Sequence, residues 1–247
     1  MATDLAHIGE TIVIAIVFGA MFAVGKHIHP LQFLFPDRRT ILSFCAGMSV
    51  AYVFVRVMPE LQGAREAFIE STAIDLPYEG MAIHLAALIG FLLFYGLAHL
   101  SQHFRRSADK ELSLQAFRLD VGGFAIYVWL MSYLLVNGLE ETSYSTYLYG
   151  LAIALHFLTL DHALRHEYGA VYDSKGRFLL AGMAIFGWTT GVFFAWPHSV
   201  LAPLVAFTSG GIIVNSMLSE LSHDRDGRFV PFLLGGLIYA LILLPFG

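Results

Sequence analysis

The chain reads MAIHLAALIGFLLFYGLAHL between residues 81 and 100, a stretch that contains no Asp, Glu, Lys or Arg. A helix needs about 20 mostly apolar residues to cross the hydrocarbon core of a bilayer, and this stretch has that length. The stretch therefore predicts a transmembrane helix.

Seven further apolar stretches flank this one along the 247 residues of the chain. Charged residues make up 13% of the composition, against about 25% in an ordinary soluble domain. The gaps between the stretches are short, which leaves no room for a separate soluble domain. We predict an all-α, polytopic integral membrane protein with a single transmembrane domain, 1–247. Its eight predicted spans are 8–24, 41–58, 81–100, 121–139, 147–164, 178–195, 200–221 and 229–246.

The positions of the cations predict the orientation of this domain. Twelve of the 14 Lys and Arg residues lie in the gaps after the first, third, fifth and seventh stretches. Cytoplasmic loops are enriched in Lys and Arg, so we expect those gaps to face the cytoplasm and both termini to lie on the opposite side. Lys26, the first cation, follows the first stretch, which favours a permanent span over a cleavable signal peptide. The short loops favour a bacterial inner membrane.

The net charge argues against one class of function, and the single cysteine has a structural interpretation. The formal net charge is −5 and no gap forms an extended basic surface, so nucleic-acid binding is not expected. The single cysteine, Cys45, lies inside an apolar stretch and cannot form an intrachain disulfide, so we expect it to pack in the core.

A few polar residues lie inside the predicted spans, where burial of an ionisable group costs about 2.5–3.5 kcal/mol. Arg56 lies in the second span and Glu60 lies one helical turn later, just after its end, which predicts an ion pair. In the seventh span, Gly210 permits close helix contact, and the mid-helix amide Asn215 requires a hydrogen-bond partner or lines a polar path.

The fifth span carries the residues best suited to bind a metal ion. Imidazole and carboxylate groups are usual ligands of zinc and similar divalent ions. His162 and His166 lie about 40° apart around a helix, close enough to share one ion. His156 and Asp161 lie about 140° apart, so other helices must complete any site that uses them. The candidate metal ligands are His156, Asp161, Asn215, His162 and His166. Structural hydrogen bonding is the alternative for His156, Asp161 and Asn215, whereas His162 and His166 would alternatively form an interfacial pair beside Arg165 and Glu167.

Three segments resemble the ZIP (Zrt/Irt-like) family of divalent-metal transporters. The second span contains FCAGMSVA (44–51) followed by MPEL (58–61), the seventh has Gly210-Gly211 at its middle, and the eighth contains FLLGGLI (232–238). The resemblance implies an eight-helix ZIP-like bundle with both termini outside, a zinc or other divalent cargo, and no enzymatic activity.

The resemblance also assigns the family's metal ligands to the fourth and fifth helices. The family carries His-Asn and an acidic residue on the fourth helix, and a His followed four residues later by Glu on the fifth. His156 stands at the position of that His, Leu160 at that of the Glu, and the fourth span offers Ser132, Tyr133 and Asn137.

We predict a divergent transporter with a reworked metal site. The alternatives are a ZIP-fold protein that does not transport and acts as a structural, auxiliary or regulatory subunit of a membrane complex, an intramembrane metalloenzyme using His162 and His166, and an unrelated eight-helix fold. The lipid bilayer is the expected environment, and both a homodimer and a membrane-protein partner stay open.

Overall fold

The computed structural model describes residues 2–25, 38–59, 62, 65, 81–106, 110–138, 143–221 and 228–244. Within these residues every regular element is helical, which confirms the all-α class. The α-helices are α1 (Ala2–Val24), α2 (Arg38–Tyr52), α3 (Ala82–Arg105), α4 (Lys110–Asn137), α5 (Ser143–Val171), α6 (Arg177–Phe193), α7 (His198–Leu221) and α8 (Phe229–Leu243). Single π-helical turns follow α2, at Val53–Val57, and α5, at Tyr172–Gly176.

Several of these helices are long and apolar enough to cross a membrane, as an integral membrane protein requires. The qualifying stretches in the described residues are His7–Val24, Arg39–Val57, Ala82–Arg105, Glu111–Asn137, Thr146–Phe193 and Ser199–Leu218. The fifth of these covers both α5 and α6, and α8 is a shorter apolar helix. The count of eight spans and their orientation stay predictions.

Large apolar side chains cover much of the outside of the bundle. On α3, the side chains of Leu85, Leu88, Ile89, Leu92 and Leu93 are all exposed. A helix that is apolar on its outer face suits a lipid environment, because lipid tails carry no penalty for contact with leucine.

The helices pack into two groups, each around its own core. Helices α1, α4, α5 and α6 surround a core that includes Phe18, Val128, Phe157 and Leu180. Helices α2, α3, α7 and α8 contribute Tyr52, Ile83, Ala206 and Tyr239 to a second core, to which the first turns of α5 also belong. The two groups meet where α2 contacts α5, where α3 contacts α4, and where α7 contacts both α4 and α5.

Glycines allow the closest helix contacts. A Cβ atom built on Gly210 of α7 would overlap the Ala87 carbonyl oxygen of α3, which confirms the expected close contact at this position. Gly90 of α3 faces the Phe207 carbonyl in the same way. Gly47 and Gly235 repeat this reciprocal arrangement between α2 and α8.

Two helices extend well beyond the apolar stretches that predict them. Helix α4 begins at Lys110 instead of Val121, and α5 continues past Leu164 to Val171. Hydropathy predicts only the part of a helix that lies in the hydrocarbon core, whereas the helix itself continues as far as its backbone hydrogen bonds. At Gly169 the backbone adopts φ 50° and ψ −125°, a conformation almost restricted to glycine, and α5 kinks there.

Candidate functional site

A cavity of about 300 Å³ lies between the two helix groups. Helices α3, α4, α5 and α7 line it. It extends along α5 from His156 to Glu167, about 16 Å at the helical rise of 1.5 Å per residue. The Glu167 end lies beside Arg105 and is called the basic end below, because Arg105, Arg118, Arg165 and Lys175 lie at this end of α3, α4 and α5 or in the turn that follows α5. Exposed Gln102 contributes to the lining there.

Helical periodicity explains which side chains reach the cavity. On α5 the lining positions His156, Leu160, Ala163 and Glu167 follow the i, i+4, i+7, i+11 pattern of a single helix face. On α4, Asp120 and Phe124 are one turn apart on one face. The cavity is therefore built from continuous helix faces.

His156 lies at the deep end of the cavity and is 1% exposed. Its Nε2 is 3.2 Å from the Tyr127 hydroxyl, which donates to the Thr208 carbonyl oxygen at 3.3 Å. We assign the tautomer in which the Tyr127 proton is directed to Thr208, so that His156 Nε2–H donates to the Tyr127 oxygen and the lone pair of the ring is on Nδ1. Nδ1 has no hydrogen-bond partner among the described residues. An imidazole in this state can accept a metal ion.

Asn215 of α7 lines the same cavity, and its amide approaches the Tyr127 hydroxyl. Its Nδ2 is buried and makes no hydrogen bond within the described part of the chain. The structure therefore brings together His156 and Asn215, which belong to different helix groups, around Tyr127.

Charged residues converge at the basic end of the cavity. Arg105 Nη1 is 3.2 Å from Asp120 Oδ2, and Arg105 Nε is 3.2 Å from Glu167 Oε2. The Tyr168 hydroxyl donates to Asp120 Oδ2 at 2.5 Å, and the Arg105 guanidinium lies over the Tyr168 ring. This network links α3, α4 and α5.

Asp161 lies away from the cavity. It is fully buried, and its carboxylate accepts two hydrogen bonds of 2.8 Å from Arg165 Nη2 and one of 2.8 Å from the Tyr172 hydroxyl. Arg165 also pairs with Asp173. The structure thus does not bring Asp161 to His156, in keeping with their angular separation on α5.

His162 and His166 also lie outside the cavity lining. Their rings are neighbours, with centroids 6.5 Å apart, as their spacing predicts. No group of three or more His, Cys, Asp or Glu side chains suited to hold a metal ion occurs among the residues that the structure describes. The metal-binding roles of the five candidate residues stay predictions.

The polar residues of the fourth span pack against α6 instead of lining the cavity. The Tyr133 hydroxyl donates to the Phe194 carbonyl at 2.9 Å, and Asn137 Nδ2 donates to the Gly191 carbonyl at 2.6 Å. Ser132 is fully buried beside Gly187. Helix α4 lines the cavity with Asp120 and Phe124, which lie more than two turns before Ser132.

Four residues of the site, Arg105, Asp120, Glu167 and Tyr168, are absent from the candidate ligands that the sequence suggests. One sequence pattern could have identified Asp120. Asp120, Phe124 and Tyr127 have the spacing i, i+4, i+7, which places them on a single helix face. That signal is visible only if α4 is known to begin before Asp120.

Two other predictions have different outcomes. Cys45 is buried, 2% exposed, and its thiol forms no disulfide, which confirms core packing. The predicted ion pair of Arg56 with Glu60 involves a residue, Glu60, outside the described ones.

No model of a known protein family matches this chain, and no curated protein matches it.

Proposed function

We propose that the protein is a divergent ZIP-like membrane transporter with eight spans, and that it carries a divalent metal ion such as zinc through the cavity between α3, α4, α5 and α7. The proposal rests mainly on His156. Its Nδ1 is buried at the deep end of this cavity and has no hydrogen-bond partner among the described residues. A metal ion would satisfy that nitrogen, and Asn215 supplies an amide beside it. Neither group is a strong anionic ligand, so we expect weak binding, as release of a transported ion requires.

The charges along the cavity support a cationic cargo. Two carboxylates, Asp120 and Glu167, and one guanidinium, Arg105, line the basic end. Within the lining itself the carboxylates outnumber the guanidinium, so a divalent ion moving from His156 toward this end would meet lining side chains of net negative charge. In the proposed orientation this end faces the cytoplasm.

The opposite ends of α4 and α5 support a path that is closed in this state. Among the described residues, a small cavity of about 20 Å³ lies toward the opposite ends of these helices, between Tyr52, Met131, Tyr149 and Ile153 among others. A space of this size holds at most a water molecule. A transporter must close one side of its site while the other is open, and this asymmetry agrees with that requirement.

Zinc uptake into liposomes tests the proposal. The purified protein is reconstituted with a zinc-sensitive dye inside the vesicles, and the uptake rates of wild type and His156→Ala are compared. We expect wild-type uptake above that of empty vesicles and a fall on the order of tenfold or more in the variant, because a ligand has been removed.

His84→Ala is the matched control, because His84 is an exposed histidine on α3 that does not line the cavity. Its uptake should equal that of wild type. Equal rates for His156→Ala and wild type would remove His156 from the path.

A non-transporting role as a structural, auxiliary or regulatory subunit of a membrane complex is the second candidate. The observation that favours it is the lack, within the described residues, of a cluster of three or more metal-binding side chains. Wild-type vesicles that take up no zinc, manganese or cadmium, from protein that is folded and monodisperse, would favour this second role.

A further inference from the structure

We propose that Asp120 and Glu167 form a second cation-binding site at the basic end of the cavity, and that the guanidinium of Arg105 occupies this site when no metal ion is present. This inference rests on the proposed function in one respect, the divalent cargo. It adds a second binding position, about three helical turns along α5 from His156, and gives Arg105 the role of a tethered competitor.

The geometry at Arg105 is that of a cation held between converging acids. The carboxylates come from α4 and α5, the guanidinium comes from α3, and each N–O distance is 3.2 Å. All three side chains line the cavity. A metal ion that arrives along the cavity would therefore meet both carboxylates at the position that Arg105 now fills.

Asp120 retains an unused ligand atom. Its side chain is 8% exposed, and Oδ2 accepts hydrogen bonds from both Arg105 and Tyr168. Oδ1 is buried without a hydrogen-bond partner in the described part of the chain. A buried carboxylate oxygen without a donor is costly, and a metal ion bound at Oδ1 removes that cost.

Charge balance makes the exchange of one cation for another feasible. Arginine stays protonated in proteins, so Arg105 vacates the site by moving and not by losing a proton. Its side chain is 21% exposed, which gives the guanidinium a route outward. Carboxylate oxygens suit Mn²⁺ and Mg²⁺, which complete their coordination with water, so two carboxylates are sufficient protein ligands.

The arrangement has a functional consequence for the direction of release. When Arg105 competes for the site, the apparent affinity for metal equals the intrinsic affinity multiplied by the fraction of molecules in which the guanidinium has left the site. Arg105 would thus prevent retention of the ion by Asp120 and Glu167 at the basic end. Displacement of Arg105 would also unlink α3 from α4 and α5 at that end.

Binding of Mn²⁺ to the detergent-purified protein, followed by loss of the electron paramagnetic resonance signal of the free ion, tests this inference. Arg105→Met keeps the apolar stem and removes the charge. We expect it to bind Mn²⁺ at least about tenfold more tightly than wild type, because the competitor is gone. Adding Asp120→Asn to this variant should abolish the gain, and equal affinities of Arg105→Met and wild type would overturn the inference.

Two further variants separate the alternatives. Arg118→Met removes an exposed arginine near the same end and should bind like wild type. His156→Ala combined with Arg105→Met should keep the gain, so this binding stays measurable even if zinc transport through His156 fails its own test. A gain that disappears with His156→Ala, or persists with Asp120→Asn, would place the binding elsewhere and contradict the site.

Folding is checked by size-exclusion chromatography. If Arg105→Met is not monodisperse, Arg105→Lys replaces it, because a lysine point charge cannot bridge both carboxylates. We expect about a threefold gain for this milder competitor. The absence of any gain in folded Arg105→Lys would also overturn the inference.

Discussion

His156 and Asp161 show how two buried polar residues on one helix reach different environments. They are five residues apart on α5, so His156 faces the cavity and Asp161 faces the side that carries Tyr172. Asp161 meets a cation one turn away, Arg165, and its charge is balanced without a metal ion. Periodicity predicts that the two residues diverge. It does not predict Tyr172 as a partner, because the kink at Gly169 lies between them.

The Asp161–Arg165 pair should contribute strongly to stability. We expect Asp161→Ala to lower the free energy of unfolding by about 3–5 kcal/mol, since it leaves a mostly buried guanidinium without its main partner. The double variant Asp161→Ala/Arg165→Met removes both charges and should be more stable than the single variant. Thermal unfolding in detergent measures both. A double variant less stable than Asp161→Ala would show that the pair is not the source of the effect.

At the scale of helices, sequence patterns identify the apolar segments well and their ends poorly. The apolar stretch 81–100 coincides with most of α3, whereas α4 begins 11 residues before the stretch that predicts it. This difference affects the site, because Asp120 lies in residues 110–120, which belong to α4 although hydropathy alone places them in a loop. Glu167 and Tyr168 lie beyond Leu164 for the same reason.

Glycines in the apolar stretches indicate where helices pack closely, but the sequence does not show which helix each glycine contacts. Gly235→Ala should destabilise the protein by about 1–3 kcal/mol, because its Cβ would overlap the backbone carbonyl of Phe44, and backbone cannot yield as a side chain does. Gly182→Ala on α6 is the control, since a Cβ there meets nothing within 4 Å. Melting temperatures of the two variants should differ clearly, and equal values would argue against close packing of α2 and α8.

At the scale of the whole molecule, composition is sufficient to predict a helical membrane protein, but the cavity is a property of packing between two helix groups. Its lining comes from four helices, and residues such as Arg105 and Asp120, 15 positions apart, meet only because α3 and α4 lie side by side. Single-chain patterns describe the faces of individual helices. They do not indicate which faces oppose each other, so His156 and Asn215 can be identified in advance, whereas their meeting around Tyr127 cannot.

The orientation of the whole bundle yields the last prediction, which uses the two ends of α6. Ser174 precedes this helix at the basic end and Ala195 follows it at the other, and both are exposed. The wild-type chain has one cysteine, Cys45, which is buried, so it provides an unlabelled background. If the cationic gaps face the cytoplasm, Ala195→Cys should react with a membrane-impermeant maleimide in intact cells, and Ser174→Cys only after permeabilisation. The reverse pattern would invert the topology and place the Asp120–Glu167 site at the outer end of the cavity. Labelling of both residues in intact cells would instead mean that α6 does not cross the membrane between them.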